Sequence, residues 1–246
     1  MFAILDPERD GVANEAVALA GGLNLPNAIA LADDGALLIV EPHRILRLDA
    51  SGRAEVVVPP GVLPDQSHHG WRHAGRGPDG NVYVAVGAPC AGCRVSRFSG
   101  TIVRLRPDGH ELGIFARGVR NAAGFDWHPV TGEMFFIDGG ADRGDGALPD
   151  ELNRAARPGL HFGYPDVQVD EVRYPQSAGQ APPRPSPPAL ALAAHGEALG
   201  IDFYQGEMFP EEYRNDALIV QHGSRDRAKP VGYRIMRVRF SPAGLP

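Results

Sequence analysis

The chain has 246 residues, of which 43% are hydrophobic and 22% charged, and its formal net charge at pH 7 is -6. This composition suits a globular protein with a sizeable core, and the acidic balance with dispersed arginines excludes the basic stripe that nucleic-acid-binding proteins usually carry. Its apolar runs fall well short of the roughly 18 residues of a membrane-spanning helix, so we expect no membrane span and no nucleic-acid partner.

A repeated pattern runs through the chain. Each of four segments has a strand of small apolar residues, a turn, a second apolar strand and, in most, a third strand. The first three turns carry Gly35, Gly80 and Gly132, which are 45 and 52 residues apart, and the fourth carries Asn215 and Asp216. This period fits the four-stranded blade of a β-propeller, about 40 to 50 residues long. We therefore predict an all-β propeller domain spanning residues 1–246, with a β-sandwich of regular hairpins as the alternative.

Both ends interrupt this repeat. Residues 1–22 are predicted to be the last strand of a preceding blade, and the chain stops at "FSPAGLP", after a third-strand pattern. A propeller needs its edge strands hidden. We therefore expect a fragment with about four blades, or blades supplied from elsewhere, or edges covered in another way. Between the third and fourth units, residues 175–194 are rich in proline, which cannot pair in a central strand, and are predicted to be a surface loop.

Histidines and cysteines mark the second unit. His68, His69 and His73 fall within six residues of the stretch "DQSHHGWRHAGRGPDG". An imidazole can accept a proton near neutral pH, so this cluster is a candidate catalytic group as well as a candidate polar loop that caps a blade. Cys90 and Cys93 are the only cysteines. Their spacing allows a local disulfide, half of a metal site, a redox pair or two idle thiols.

Four sequence motifs follow one another along the chain: "HHGW…GPDGNVYVAVGAPC", "ARGVRNAAGFDWHPVTGE", "DELNRA…GLHFGYP" and "LIVQHGSRDRAKPVGYRIMRV". The chain resembles the glucose/sorbosone dehydrogenase family, six-bladed propellers that include soluble quinoprotein sugar dehydrogenases using pyrroloquinoline quinone (PQQ) and Ca²⁺. The resemblance implies oxidation of a sugar or related polyol or aldehyde, with an external electron acceptor. It also implies a periplasmic or secreted location, where a disulfide between the two cysteines would be natural, although the N-terminus shows no signal peptide.

The resemblance also assigns site residues. His69 stands eight positions before the glycine of the "GPD" turn, where the family has its general base. Arg120 and Asn121 match the family's pair that contacts the carboxylate and quinone oxygens of the cofactor, and a guanidinium fork suits a carboxylate. Lys229 lies close to the family's cofactor-contacting lysine. Further cofactor-binding arginines of the family belong to a later blade that has no counterpart in this sequence.

The calcium site is where this sequence departs from the family. In "DGGADRGDG", Gly139 stands in place of a side chain that contacts the cofactor, and Gly140 and Ala141 would supply backbone carbonyls to Ca²⁺. Backbone oxygens need no particular side chain, so calcium ligation could survive this change. Hard oxygen ligands could also come from the neighbouring residues Asp138, Asp142 and Asp145, although such a Gly- and Asp-rich stretch is also typical of a plain turn.

Three functions remain open at this point. The first is a quinoprotein-type sugar oxidoreductase with His69 as the proton acceptor. The second is a catalytically inactive propeller that binds carbohydrate or protein. The third is a Ca²⁺-dependent lactonase-type hydrolase, which would use acidic residues and histidine without PQQ.

Overall fold

The computed structural model describes residues 1–90, 95–140, 148–168, 172–173, 182, 184–194, 196–224 and 228–246. Almost all regular structure in these residues is β-strand; the exception is one turn of 3-10 helix, Glu211–Tyr213. The described residues contain no helix with the length and apolarity that crossing a lipid bilayer requires.

The chain begins with an antiparallel hairpin of β1 (Phe2–Leu5) and β2 (Glu15–Ala18). The sequence predicted the last strand of a preceding blade in residues 1–22, whereas the structure has two strands there, because the segment turns back on itself. The carboxylate of Asp6 accepts hydrogen bonds from two backbone N–H groups in the connection, which stabilises the reversal. Apolar residues at the base of the hairpin pack against the sheet that follows.

The blades follow in chain order. Blade 1 consists of β3 (Ala28–Leu31), β4 (Leu37–Val40), β5 (Ile45–Leu48) and β6 (Ala54–Val58). Blade 2 consists of β7 (Ala74–Arg76), β8 (Val82–Val86), β9 (Thr101–Leu105) and β10 (Gly113–Arg117). Blade 3 begins with β11 (Ala122–Trp127), β12 (Met134–Asp138) and β13 (Pro149–Ala155).

Three short strands then leave the repeat. They are β14 (Leu160–His161), which pairs in parallel with β10 of blade 2, and the small hairpin of β15 (Val167–Gln168) and β16 (Val172–Arg173). Blade 3 is completed by β17 (Leu190–Ala194), and blade 4 consists of β18 (Ala198–Phe203), β19 (Ala217–Gln221) and β20 (Arg234–Val238). The described residues thus form three four-stranded blades and one three-stranded blade, which confirms the propeller prediction.

The predicted surface loop of residues 175–194 needs a correction at its C-terminal end. Its last five residues form β17, which pairs antiparallel with β13 as the outer strand of blade 3. The run after Pro188 contains no proline, so its N–H groups can take part in a ladder. The N–H of Ala189 already donates to the carbonyl of Leu152 over 2.8 Å. Residues 182 and 184–189 form no strand.

The turn between the first and second strand of each blade explains the period of the sequence. Gly35, Gly80 and Gly132 have φ values of 79°, 77° and 67°, and Asn215 has 67°. Glycine enters this left-handed region without steric strain, and asparagine tolerates it better than most residues. The repeat seen in the sequence is therefore a repeat of one turn conformation.

The blades pack face to face, and their cores lie between them. Second strands such as β8 (VYVAV) and β12 (MFFID) are buried along their whole length because a neighbouring blade covers each face. The first strands of blades 1 and 2 contact one another, and so do those of blades 3 and 4, so the first strands form the inner layer. In each blade the first strand begins, and the second strand ends, at the same side of the sheet. We call this side the upper edge, and it carries the residues considered next.

Candidate functional site at the upper edge

His69 lies in the loop that leads into β7, and its backbone is strained. Its φ is 50°, a left-handed conformation that is uncommon for residues other than glycine, although asparagine, aspartate and histidine adopt it more often than the rest. The ring Nδ1 lies 3.0 Å from the carbonyl oxygen of Ala88. A carbonyl can only accept, so Nδ1 carries the proton in this contact, and the lone pair of the neutral ring is on Nε2. The hydrogen bond thus leaves Nε2 as a proton acceptor.

The surroundings of His69 keep its ring neutral. Burial lowers its pKa from 6.5 to about 4, and the positive charges of Arg120 and His68 act in the same direction. The hydrogen bond to Ala88 opposes these effects only in part. At neutral pH the imidazole is therefore unprotonated at Nε2, which is the state that a general base requires.

Gly87, the residue after β8, brings blades 2 and 3 together at His69. A Cβ at this position would lie 2.5 Å from Cβ of His69 and 3.1 Å from Oδ1 of Asn121. Only a glycine therefore allows these two side chains to come this close to the backbone at position 87. The carbonyl of Gly87 also accepts a hydrogen bond of 2.7 Å from Nε2 of Gln66, which ties the His69 loop to the end of β8.

Arg120 and Asn121 precede β11, and Asp138 at the end of β12 fixes their backbone. Its Oδ2 accepts from the N–H of Arg120 over 2.8 Å, and its Oδ1 accepts from the N–H of Asn121 over 2.6 Å. Asp138 is 3% exposed, and burial, together with the charge of Asp150, raises its pKa to about 6. The sequence suggested Asp138 as a possible metal ligand; in the structure each of its carboxylate oxygens accepts a backbone hydrogen bond.

The guanidinium of Arg120 has unused hydrogen-bonding capacity. Its Nη1 donates to the carbonyl of Gly139 over 3.2 Å, whereas its Nε is buried without a hydrogen-bond partner in the described part of the chain. A buried donor left unpaired is unfavourable, and a ligand oxygen would satisfy it. The group can therefore receive an anionic or carbonyl oxygen next to His69.

The predicted calcium ligands are described only in part, because Ala141, Asp142 and Asp145 lie outside the described residues. The N–H of Gly140 donates to Oδ1 of Asp150 over 2.9 Å. A Cβ at Gly140 would collide with the carbonyls of Leu148 and Pro149, so glycine is required for this path of the chain. Among the described residues, no group of three or more histidine, cysteine, aspartate or glutamate side chains could hold a metal ion. Of the two carbonyl ligands predicted from the sequence, the structure describes only that of Gly140.

Asp150 is a residue that the sequence did not single out. Its second oxygen, Oδ2, accepts from the N–H of Ala198 over 3.0 Å, so one buried carboxylate joins the Gly140 loop of blade 3 to the first strand of blade 4. The signal in the sequence is an aspartate at the start of a third strand, "PDELN". That signal alone does not show which loops the side chain connects.

The other predicted residues take different positions. Lys229 is exposed in the segment after β19, and no hydrogen bond or ion pair joins it to the described site residues. His68 is exposed with its ring 3.8 Å from that of His69, and His73 packs edge-on against Phe125 at 4.5 Å. Cys90 is disulfide-bonded, and Cys93, the other cysteine of the chain, lies outside the described residues.

Fold and site together define the class of protein: a β-propeller with a neutral histidine and an Arg–Asn pair at the upper edge of adjacent blades. The comparison with families narrows this class. Residues 63–224 match the model of the Glucose / Sorbosone dehydrogenase family. The match covers well over half of the chain, and the chain therefore belongs to this family.

Solved structures share the fold. The calcium structure of a Trichoderma reesei enzyme of carbohydrate-active family AA12 has a TM-score of 0.77 at 18% identity, covering 100% of this chain and 73% of that one. The holo PQQ domain of Coprinopsis cinerea pyranose dehydrogenase has a TM-score of 0.55 at 16% identity, covering 93% and 79%. The PQQ-bound aldose sugar dehydrogenase of Streptomyces coelicolor has a TM-score of 0.51 at 19% identity, covering 100% and 83%.

A curated relative is similar over a shorter stretch. An uncharacterized protein of Borreliella burgdorferi is 43% identical over 125 residues, which is 50% of this chain and 33% of that protein. The matched region thus spans about a third of this relative's length.

Proposed function

We propose that this chain belongs to a quinoprotein-type oxidoreductase that oxidises a sugar or a related polyol or aldehyde, with PQQ and Ca²⁺ as cofactors. The observation that carries the proposal is the placing of a neutral imidazole, His69, beside the charge of Arg120. A proton acceptor and a site for an oxyanion must stand together when an alcohol is oxidised by hydride transfer.

The residues at this site fit an anionic quinone. Arg120 offers a buried Nε that lacks a partner among the described residues, and a guanidinium recognises carboxylate and quinone oxygens well. When bound, PQQ supplies the hydride acceptor that no amino-acid side chain provides. Membership of the family supports the same assignment.

His69 acts as the general base in this proposal. Its Nε2 takes the proton of the substrate hydroxyl while the hydride leaves the adjacent carbon. The carbonyl of Ala88 holds Nδ1 and so fixes both the tautomer and the ring orientation. Asn121, whose backbone is held by Asp138, has its side-chain amide close to Gly87 and can orient oxygens of the bound molecules.

Calcium and the remaining contacts extend the proposal. The carbonyls of Gly140 and Ala141 would hold Ca²⁺, which would supply positive charge next to the cofactor. Gly139 and Lys229 would line the cofactor site, and an external acceptor would take up the electrons. The disulfide at Cys90 supports a periplasmic or secreted location, since disulfides persist in oxidising compartments.

The test is reconstitution of the purified chain with PQQ and Ca²⁺, followed by dye reduction with aldoses. We expect activity in the wild type, and a fall of about 100-fold or more in kcat for His69→Asn, because a well-placed general base contributes about that much. Asparagine tolerates the left-handed backbone of this position, so the fold is kept. His110→Ala, at an exposed turn between β9 and β10, is the matched control and should retain activity.

The pH profile of the same reaction adds a second readout. Because burial and Arg120 hold the pKa of His69 at about 4, the acid limb of kcat/KM should lie near pH 4 rather than near 6.5. PQQ binding followed by absorbance separates loss of catalysis from loss of the cofactor. Full activity in His69→Asn would refute the role of this histidine. Carbohydrate binding without dye reduction would favour the binding-module function, and lactone hydrolysis without PQQ would favour the hydrolase.

A further inference from the structure

A polar cleft lies on the same upper edge as His69, at the outer half of blade 2. It has a volume of about 250 Å³, and we call it the arginine cleft; its lining includes Ser96, Arg97, Ser99, Arg117, Gly118 and His161. The strand pairings of β8 with β9, and of β9 with β10, put Arg117 at the same side of the sheet as the end of β8. At roughly 30 Å³ per water, the volume gives room for one small polar ligand.

Hydrogen bonds connect this cleft to the His69 loop. The hydroxyl of Ser99 donates to Oε1 of Gln66 over 3.4 Å, and the hydroxyls of Ser96 and Ser99 lie 2.8 Å apart. Gln66 in turn donates to the carbonyl of Gly87, which contacts His69. The cleft and the proposed catalytic loop therefore share one hydrogen-bonded wall.

The cleft carries positive charge without a paired carboxylate among the described residues. By contrast, Arg44, Arg154 and Arg237 each pair with a carboxylate. Arg97 and Arg117 form no ion pair in the described part of the chain, and none of the described lining residues is acidic. The guanidinium of Arg97 lies over the ring of Phe98, 4.8 Å from its centre, which holds this cation in place at the cleft wall.

His161 adds a neutral donor. Its Nδ1 accepts from the N–H of Gly163 over 3.1 Å, so the ring proton of the neutral form is on Nε2. Burial, assisted by the charge of Arg117, lowers its pKa, and the charge of Asp166 opposes this only in part, so the ring is neutral at neutral pH. The cleft thus combines two unpaired cations, hydroxyl groups and a ring N–H, all of which are groups that bind a carboxylate together with sugar hydroxyls.

We propose that the arginine cleft binds an anionic sugar through its carboxylate, and that the site therefore prefers uronates or other sugar acids to neutral aldoses as substrates. The statement about substrates rests on the proposed oxidoreductase function. The statement about binding does not, because the cleft needs neither PQQ nor Ca²⁺ to attract a carboxylate.

Calorimetric titration of the chain without cofactors tests the binding. Glucuronate and glucose serve as probes that differ only in the carboxylate. We expect glucuronate to bind at least about 10-fold more tightly than glucose, and Arg97→Gln and Arg117→Gln each to weaken glucuronate binding by roughly fivefold or more. Higher salt should weaken glucuronate binding and leave glucose unaffected. Arg157→Gln, an exposed arginine in the loop between β13 and β14, is the matched control and should change neither affinity.

The inference is overturned if both probes bind equally or if the two cleft variants bind glucuronate as the wild type does. Dye reduction by the reconstituted chain distinguishes failure of the arginine-cleft proposal from failure of the proposed oxidoreductase function. If glucose is oxidised in a His69-dependent way but glucuronate binding does not depend on the cleft arginines, the arginine-cleft proposal is refuted and the oxidoreductase proposal is retained. If glucuronate binding depends on the cleft arginines but no sugar is oxidised, the oxidoreductase proposal is refuted and the cleft remains a binding site for acidic sugars.

Discussion

The four blades can be compared at one position of the upper edge, the residue that follows the second strand. In blades 2 and 3 this residue is Gly87 or Gly139, whereas in blades 1 and 4 it is Glu41 or His222. In blade 1 the buried Glu41 accepts from the N–H of Asn24 over 2.6 Å and pairs with an arginine three residues on. In blade 4, His222 lies 3.0 Å from a carboxylate oxygen of Glu197.

The same blade structure therefore has two local arrangements at its upper edge, one with a large side chain after the second strand and one with a glycine there. A large side chain after the second strand fills the upper edge and binds neighbouring segments of its own blade. A glycine leaves that space to side chains from the loops before the first strands, which are His69 and Arg120. The two glycine blades therefore carry the candidate site. The other two blades are held by local contacts of these side chains, an ion pair of Glu41 in blade 1 and a hydrogen bond between His222 and Glu197 in blade 4.

The largest expected effect comes from filling the space at Gly87. In Gly87→Ala the new methyl group would meet Cβ of His69 at 2.5 Å and its carbonyl oxygen at 2.8 Å, and neither atom is the far end of a flexible side chain. The loop must therefore shift. We expect a loss of about 1–3 kcal/mol in the free energy of unfolding, as for other overpacked sites, and a fall of dye-reduction activity of about 100-fold. Urea unfolding and the reconstituted assay measure the two effects.

Removing the charge of Asp138 tests what holds the Arg–Asn pair in blade 3. In Asp138→Asn, an amide NH₂ replaces one acceptor, so one of the two backbone N–H groups of Arg120 and Asn121 is left unsatisfied. We expect a loss of about 1–3 kcal/mol and weaker PQQ binding. Asp216→Asn in blade 4 is a comparison variant whose carboxylate also accepts a backbone N–H, at Phe240, but lies away from the site. Weaker PQQ binding in both variants would contradict a specific role for Asp138.

The pH dependence of the Asp138 variant has a defined sign. The folded-state pKa of Asp138, about 6, is above its ordinary value of 3.8. Its contribution to stability is therefore complete below pH 3.8 and is lost as the pH rises through 6. The asparagine variant lacks this contribution at every pH. The stability gap between wild type and variant should thus be larger at pH 4.5 than at pH 7.5, and a gap that widens with pH would show that folding does not raise the pKa of Asp138.

The smallest expected effect is at Gly139, the equivalent position of blade 3. The nearest atom to a Cβ there is Nη1 of Arg120, at 3.6 Å, which is an ordinary contact with the end of a long side chain. Gly139→Ala should therefore change activity less than about threefold and should leave stability unchanged or slightly raised, because alanine restricts the unfolded chain. An effect as large as that of Gly87→Ala would mean that the two glycines do not differ as their surroundings indicate.

Much of the fold follows from local features of the sequence. The turn residues Gly35, Gly80 and Gly132 and the apolar strands after them are contiguous, so the blade pattern can be predicted without knowledge of distant contacts. The strand β17 could not be predicted in this way. It pairs with β13 only after a long excursion rich in proline, and no local signal shows that the chain returns to the same sheet.

The residues of the candidate site could be predicted from the sequence, but the residue that holds their backbone in place could not. His69, Arg120 and Asn121 stand in short phrases that the family shares, and these can be found from sequence. The role of Asp138 depends on the pairing of β11 with β12, where an irregularity between Ala122 and Gly124 shifts the register. Such a shift cannot be counted from the sequence, so Asp138 was grouped with possible metal ligands.

The left-handed backbone of His69 has a consequence for anyone who tries to improve this protein. A histidine at a φ of 50° stores strain that glycine or asparagine would relieve. Selection for heat resistance alone should therefore favour replacement of this residue, since stabilising changes at functional positions commonly reduce function. A library screened for survival at high temperature would enrich molecules without the imidazole, and each round of screening would need to include a measurement of turnover.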